Sequence, residues 1–420
     1  MIEASELSQA IANTWDQIAL VLGDDREPFE CQLTTLLRRL DGTRDPDQAA
    51  VIRSILDLFQ KFDAAHRQLI QAISRVASHR SKGVAMPAGF VKMDRYTVVP
   101  VFYGTDRAVA GKHDAPVSYG CERGDLALGI AEVSIPDDHR MGEIERPRLW
   151  KLQFREDPKK HVVVLGLEPL SPTAFSARAQ GALNRSSKKE VLLFVHGYNV
   201  GFADAVSRAA QIAYDLHFEG LPALYSWPSE GSVPKYTVDE TNVTWSRPRF
   251  AQFLSVIREN LGAETIHIIA HSMGNRLVAE TIASMTPPLT TRGARIRQIV
   301  FAAPDIDAAT FRDLAAAFHK KAERFTLYAS SEDKALKASK VIHKYPRAGE
   351  SGLALVVIGS VDTVDATAVD TSLMGHSYYG ENRSVLTDIF ELIRRGSPPE
   401  ERFGLMPKEK YGARYWLFSP

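Results

Sequence analysis

One pentapeptide constrains the fold of this chain more than any other feature. Residues 270–274, Ala-His-Ser-Met-Gly, directly follow the apolar run of residues 266–269. Apolar residues then recur with helical spacing over residues 273–282. A sharp turn from strand to helix needs little bulk two positions before and after its central residue, and the Ala and the Gly meet that need. The pattern predicts a strand–turn–helix unit with Ser272 exposed at the bend, where the helix N-terminus favours developing negative charge.

An ordinary strand–helix turn gives the same local pattern, so the interpretation of Ser272 as a nucleophile needs support elsewhere in the chain. Residues 191–199, VLLFVHGYN, form an unbroken apolar run that ends in His196-Gly197, as expected for a strand buried on both faces of a parallel sheet. Acyl transfer needs two amide donors for the oxyanion, one after the nucleophile and one in an earlier strand–helix loop. We therefore predict that the N–H groups of Met273 and Tyr198 form an oxyanion hole.

The catalytic acid is expected after a later strand, because the chain order of a triad built on this turn is Ser, acid, His. Residues 324–329 read as a strand and lead into a polar loop that contains Asp333. Asp305 and Asp307, which follow the strand-like run of residues 298–303, are the alternatives. We predict Asp333 as the acid.

The catalytic base is expected near the end of the chain. His376 stands in the loop-like sequence MGHSYY, after the apolar run of residues 353–361. His319 and His343 lie in Lys-containing, surface-like stretches. His196 precedes the Ser and is interpreted as a residue that shapes the oxyanion loop. We predict His376 as the base; the alternative is a hydrogen-bonded loop histidine.

These residues predict a two-step acyl transfer. His376 takes the proton of Ser272 as the hydroxyl attacks a carbonyl, and Asp333 orients the imidazolium. Water then releases the acyl group, and a small-molecule or lipid carboxylic ester is the simplest substrate. We expect no metal and no organic cofactor, because the sequence has neither a His/Cys cluster with ligand spacing nor a Gly-rich phosphate loop.

Several separated motifs resemble those of a bacterial α/β-hydrolase family of unknown function. The motifs are FVHGYN at residues 194–199, WPS at 227–229, AHSMGN at 270–275 and GHSYY at 375–379. The resemblance extends over roughly residues 90 to 395 and includes PVFYGTDR at 100–107, Tyr236, Asp239, Pro304-Asp305 and the TLYASSEDKAL stretch with Asp333. It implies an α/β-hydrolase fold with a mainly parallel central sheet. The AHSMG turn is also similar to that of small bacterial lipases, but the family itself implies no particular substrate.

Composition and charge exclude some partners. The chain has 420 residues, 45% of them hydrophobic, which is enough for more than one domain. The 51 Lys and Arg residues balance the 51 Asp and Glu residues, so no overall field favours nucleic acid or an anionic membrane. No apolar stretch reaches the ~18 residues of a membrane span. We expect no nucleic-acid partner and no membrane span.

The cysteines and the N-terminus suggest a compartment. Cys31 and Cys121 are far apart in the sequence, so we predict no disulfide framework, as is typical of a reducing environment. The first six residues, MIEASE, are acidic and lead into no apolar core of the signal-peptide kind. We therefore expect a cytoplasmic protein.

The domain organisation follows from periodicity. Residues 1–78 have apolar residues at helical spacing and no strand pattern, which predicts an α-helical domain. Residues 79–89 read as a linker and residues 90–420 as the hydrolase domain. Two roles stay open for the N-terminal helices. One is a packing or homo-oligomerisation module, and the other is a partner-binding or regulatory domain.

Within the hydrolase domain, strands and helices are expected to alternate. The sequence predicts strands at 96–103, 161–167 and 222–227, and a helix at 202–216. Residues 228–248 read as a polar, Pro-interrupted roof over the pocket without a long helix. Two rival functions use the same fold. They are a non-catalytic binding or scaffold protein, and an acyltransferase with the same triad but a different acceptor.

Overall fold

The chain forms two compact units, Met1–Ala85 together with Pro420, and Met86–Ser419. The computed structural model describes residues 87, 89–110, 117–146, 156–231, 235–285, 293–332, 336, 339, 344–368 and 384–418, and in the first unit residues 11, 29–30, 32–37, 54–55 and 58–59. The described residues of the first unit are helical. The predicted helical domain, the linker and their boundaries otherwise remain predictions.

The second unit contains one large sheet. Its strands are β1 (Val91–Lys92), β2 (Tyr96–Ala110), β3 (Ser118–Pro136), β4 (Val163–Leu170), β5 (Glu190–Val195), β6 (Leu221–Ser226), β7 (Thr265–His271), β8 (Arg295–Ala302), β9 (Arg324–Ala329), β10 (Asp362–Asp365), β11 (Leu405–Lys410) and β12 (Ala413–Phe418). Their order across the sheet is β11-β12-β10-β9-β8-β7-β5-β6-β2-β3-β4, and β1 pairs with β2. Among the described strands, the eight from β12 to β2 run parallel, and the pairs at the two ends are antiparallel. The predicted α/β class with a mainly parallel sheet is confirmed.

Helices cover both faces of the sheet. The helices that the structure describes along their length are α1 (Pro172–Arg185), α2 (Phe202–Asp215), α3 (Tyr236–Asn260), α4 (Gly274–Ser284), α5 (Ala308–Ala316) and α6 (Ser384–Arg395). Alternate residues of β5 enter opposite cores. Leu193 belongs to the core that contains buried residues of α1, α3, α4 and α5, whereas Leu192 and Phe194 belong to the core that contains those of α2 and α6. This two-sided burial explains why the strand reads as an unbroken apolar run.

The strand order reverses at β5. The chain leaves β5 through α2 to β6 on one side, and later returns to β7 on the other side of β5. The helices that follow β5 and β7 therefore lie on opposite faces of the sheet. This arrangement opens a crevice outside the carboxyl ends of β5 and β7, where open α/β sheets bind their ligands.

The segment predicted as a roof without a long helix is different in the structure. It contains α3, a helix of 25 residues with Pro248 in its interior. Pro248 lies on the exposed side, and so does Thr244, whose carbonyl loses its helical donor. Apolar residues further along bury the inner face, which outweighs the local penalty.

Two other elements escaped the sequence patterns. The 19-residue β3, which pairs with β2 along almost its whole length, was not expected. The apolar run at 353–361 contains a short 3-10 turn, and the strand follows it as the polar sequence Asp362–Asp365. Pairing with β9 and β12 makes that segment a strand.

Within the described part of the chain, no helix is long and apolar enough to cross a membrane.

Candidate functional site

Ser272 occupies the turn between β7 and α4. Its φ is 47°, a left-handed conformation that a residue with a side chain adopts only at a cost. The turn is held on both sides of Ser272. The Ser272 N–H donates to the Ala302 carbonyl at 3.0 Å, and the Asn275 side-chain amide donates to the Ser272 and Ala302 carbonyls at 2.8 and 3.0 Å. The predicted strand–turn–helix unit is present, and Ser272 lies at its bend.

Two glycines allow the loop after β5 to approach this turn. A Cβ on Gly274 would lie 2.2 Å from the His196 carbonyl oxygen, and a Cβ on Gly197 would lie 2.8 Å from the Ser272 Cβ. Neither position has room for a side chain. Tyr198, in the loop after β5, and Met273, directly after Ser272, are thus brought to the same end of the sheet.

The Met273 N–H lies at the start of α4. The first hydrogen bonds of this turn run from the Asn275 N–H to the Ser272 carbonyl at 3.2 Å and from the Arg276 N–H to the Met273 carbonyl at 3.0 Å. The Met273 N–H precedes them, and the first amides of a helix have no partner within the helix itself. This end of the helix favours an anion.

His196 is fully buried below the loop that carries Tyr198. Its ring stacks on Trp227, with ring centroids 5.1 Å apart, and the Trp227 Nε1–H donates to the His196 carbonyl at 2.9 Å. Burial and the positive charge of Arg107 lower the pKa of His196 to about 3. The imidazole is therefore neutral at physiological pH and is committed to the structure of the loop.

Arg107 connects β2 to both loops around the site. Its guanidinium is buried and donates to the Val200 carbonyl at 2.7 Å, to the Ser229 carbonyl at 3.1 Å and to the Gly120 carbonyl at 2.9 Å. Burial lowers the pKa of Arg107 to about 10, so the side chain remains positively charged at neutral pH. The sequence motif contained this residue without indicating that it would lie under the site.

Asp239 accepts hydrogen bonds from backbone amides around the same loop. Its carboxylate accepts from the Ser229 hydroxyl at 2.6 Å, from the Glu230 N–H at 2.8 Å and from the Asn199 N–H at 3.4 Å. The Ser229 hydroxyl accepts in turn from the Val200 N–H at 3.2 Å. Asp239 is in the first turn of α3, so the unexpected helix is part of the support of this loop.

The two alternative acids are engaged in the structure. The Asp305 carboxylate accepts from the hydroxyls of Tyr236 and Ser339, and lies 3.2 Å from Arg347 Nε. Its N–H donates to the Ser272 carbonyl at 3.2 Å, so Asp305 stabilises the Ser272 turn through its backbone. Asp307 is the N-cap of α5 and accepts from the Thr310 N–H at 2.9 Å.

The predicted acid and base, Asp333 and His376, lie outside the described residues. The described chain ends at residue 332, directly before Asp333, and at residue 368, eight residues before His376. The loop after β9 starts beside the segment after β10, because the Ala366 N–H donates to the Ala329 carbonyl at 2.8 Å and the Ser331 N–H donates to the Thr367 hydroxyl at 2.9 Å. Both segments leave the sheet at the carboxyl edge that carries Ser272.

A cleft also opens at the opposite edge of the sheet. It is lined in part by Phe318, Arg324 and Asp362, where β9 and β10 begin. Ser272 is at the other end of these parallel strands, so the cleft is separate from the candidate site.

The parallel sheet with helices on both faces, and the serine turn at the point where the strand order reverses, define an α/β-hydrolase. The chain belongs to the family described as alpha/beta hydrolase of unknown function (DUF900), whose profile matches residues 171–395. This confirms the predicted family. The match begins after the PVFYGTDR segment of β2.

A curated relative is similar over a shorter stretch. It is an uncharacterized protein, alr1448, of Nostoc sp. (strain PCC 7120 / SAG 25.82 / UTEX 2576), which is 29% identical over 128 residues. The similarity covers 24% of this chain and 33% of that protein. The chain therefore spans about a third of the length of this relative.

Proposed function

We propose that the protein is a serine hydrolase that cleaves carboxylic esters through an acyl-enzyme intermediate on Ser272. The observation that carries this proposal is the left-handed backbone of Ser272 at the bend between β7 and α4. Strain of this kind is retained where surrounding contacts impose it, and it clusters at functional sites. A role in packing alone would be served equally well by Gly, which adopts this conformation without strain.

The predicted oxyanion donors fit this role. The Met273 N–H lies at the N-terminus of α4, and Tyr198 lies in a loop that approaches Ser272 closely enough to exclude a Cβ at Gly197. A tetrahedral oxyanion formed on a Ser272-bound carbonyl would be held by these two amides. Each such donor contributes about 3 kcal/mol to the stabilisation of a transition state.

Asp333 and His376 remain the proposed acid and base. The segments that carry them leave adjacent strands, β9 and β10, and are hydrogen-bonded to each other where they begin. In the proposed mechanism, His376 removes the Ser272 proton as the oxygen bonds to the carbonyl carbon, and then protonates the leaving alcohol. Asp333 stabilises the imidazolium. Water, activated by His376, then breaks the acyl–oxygen bond and releases the acid.

The test uses a fluorophosphonate probe and p-nitrophenyl butyrate with the wild type and the Ser272→Ala variant. We expect labelling and ester turnover in the wild type and loss of both in Ser272→Ala. The Ser284→Ala variant, which removes an exposed hydroxyl from the same helix, is the control and should behave like the wild type. Absence of labelling in the folded wild type would contradict the proposal.

The acceptor of the acyl group is tested in the same assay. Free acid as the product in the presence of added alcohols, amines or thiols supports hydrolysis. Transfer of most of the acyl group to one of these acceptors would replace the hydrolase proposal with an acyltransferase that uses the same Ser272.

A further inference from the structure

Arg107 is a buried cation whose hydrogen bonds all go to neutral acceptors. Its side chain donates to backbone carbonyls and, through Nε, to the Ser226 hydroxyl at 2.9 Å, and its Nη2 lies 3.5 Å from His196 Nε2. No carboxylate accepts a hydrogen bond from it among the described residues. Burying an Arg in this way is costly, so its contacts should serve a purpose beyond packing.

The hydrogen-bond directions form a chain from Arg107 to the oxyanion loop. Because the Ser226 oxygen accepts from Arg107, its own proton is available to His196 Nε2, which lies 3.1 Å away. His196 Nδ1 lies 2.8 Å from the Gly197 carbonyl oxygen, and a carbonyl only accepts. Nδ1 must therefore carry the proton, and the tautomer of His196 is fixed by its two partners.

The last link of this chain sets the direction of the Tyr198 N–H. The Gly197 carbonyl and the Tyr198 N–H belong to one planar trans peptide unit and point in opposite directions. A hydrogen bond that fixes the carbonyl therefore fixes the N–H as well. The positive charge of Arg107 also polarises the chain of hydrogen bonds, which strengthens each donor along it.

We propose that Arg107 is a positioning residue that acts through Ser226 and His196 to aim the Tyr198 N–H at the oxyanion. This inference rests on the proposed function. Asp239 and Ser229 complete the support, because they hold the Asn199 and Val200 amides that follow. Arg107 itself contacts no reacting atom in this scheme.

The kinetic test compares Ser226→Ala and Arg107→Lys with the control Ser134→Ala. Ser134 is also fully buried and hydrogen-bonded, but it lies in β3, outside the chain from Arg107 to Tyr198. The readouts are kcat and KM for p-nitrophenyl butyrate and the Ki of phenylboronic acid, which forms a tetrahedral anion on an active serine. Removing an oxyanion donor entirely costs 10²–10³ in kcat, so loss of its alignment should cost roughly tenfold.

We expect kcat to fall and the boronate Ki to rise by roughly tenfold in both Ser226→Ala and Arg107→Lys, with KM within about twofold of the wild type. Ser134→Ala should lose stability without this split between kcat and KM. Equal kcat and boronate Ki in Ser226→Ala and the wild type, in a protein that hydrolyses the ester, would overturn the inference and leave the proposed function intact.

The hydrogen-bond chain is also testable without activity. In protein labelled with ¹⁵N-histidine, we expect His196 to carry its proton on Nδ1 and to stay neutral from pH 5 to 9, as its pKa of about 3 requires. The His196→Asn variant identifies the resonances. A proton on Nε2 would overturn the inference even if the protein proves inactive on esters.

Discussion

At the residue scale, the site depends on positions that tolerate only one kind of side chain. Ser272 has a left-handed backbone, and Gly197 and Gly274 have no room for a Cβ. These constraints arise because two strand ends and a helix start converge at one point. Local sequence indicates them well, since a small residue, a serine and a glycine at fixed spacing are needed wherever such a turn forms.

The strain at Ser272 predicts a difference in stability between two variants that lack its hydroxyl. Ser272→Gly should be more stable than Ser272→Ala by about 1 kcal/mol, because Gly adopts a positive φ without the clash that a Cβ causes. Urea unfolding of the two variants measures the difference directly. Both variants should fail to react with the fluorophosphonate.

Ser284 provides the comparison, because it is the exposed last residue of α4 and has no positive φ. There Gly should be less stable than Ala, by about 1 kcal/mol at most. The same order of stability at both positions would contradict the assignment of strain to Ser272.

At the scale of elements, helix caps and buried hydrogen bonds explain polar residues whose role the sequence patterns left open. Asp307 was one alternative for the acid, and the structure assigns it to the N-cap of α5. His139 is another example, since it lies in a loop but is clamped between Glu145 and Asp215 of α2 at 2.8 and 2.9 Å.

Asp307→Ala should lower the free energy of unfolding by about 1 kcal/mol, because α5 loses its N-cap. The kcat/KM for p-nitrophenyl butyrate should stay at the wild-type value. Asp313→Ala, on the exposed side of α5, is the control and should change neither quantity appreciably. A large loss of kcat in Asp307→Ala would show instead that this carboxylate takes part in the reaction.

The clamp on His139 predicts a pH-dependent contribution to stability. Burial alone would lower the pKa of His139, but the charges and hydrogen bonds of Asp215 and Glu145 outweigh burial and raise the pKa to about 10, above the ordinary value of 6.5. A raised histidine pKa stabilises the folded state fully below pH ~6.5, and this contribution is lost as the pH rises through about 10.

The measurement is the free energy of unfolding at pH 7 and pH 10 for the wild type and His139→Gln. We expect the wild type to lose more stability over this range than His139→Gln, which is already destabilised at pH 7. Arg208 and other titrating groups are present in both proteins, so their contributions largely cancel. His319→Gln, at an exposed histidine, should follow the wild type. If the free energy of unfolding changed equally between pH 7 and pH 10 in the wild type and in His139→Gln, the stabilising role of the contacts of His139 with Glu145 and Asp215 would be contradicted.

At the scale of the whole molecule, elements distant in sequence are joined by buried polar contacts. Asp388 in α6 accepts from Tyr328 of β9 and from Arg402 at 3.1 Å, and both charged side chains are fully buried. Burial raises the pKa of Asp388 to about 6. This contact holds the C-terminal helix and the chain before β11 against the central sheet.

Arg402→Met should destabilise the protein by about 3 kcal/mol, because it leaves the Asp388 charge buried without its partner. The double variant Asp388→Leu with Arg402→Met should recover much of that loss, since no unpaired charge remains. Arg178→Met, which breaks the exposed ion pair with Glu168, should change stability little. Denaturant unfolding measures the free energy of unfolding of each variant. If the double variant lost as much stability as the two single variants together, the explanation by an unpaired buried charge would be contradicted.

Features that depend on near neighbours along the chain could be predicted from the sequence. It predicted the strands at β5, β6, β8 and β9, the helices after β5 and β7, and the turn that carries Ser272. The proposed oxyanion donors Tyr198 and Met273 come from the same local patterns, because they stand three and two residues after the ends of β5 and β7. The apolar runs and turn residues encode these features locally.

Features that depend on partners distant in the sequence became visible in the folded chain alone. The polar segment Asp362–Asp365 becomes a strand because β9 and β12 flank it, and α3 continues through Pro248 because its inner face is buried. Arg107 of β2 and Asp239 of α3 both bind Ser229 beside the loop after β5, and their distance along the chain does not indicate this shared partner. Burial and hydrogen bonding across the sheet fix these positions, and neither quantity can be read from neighbouring residues.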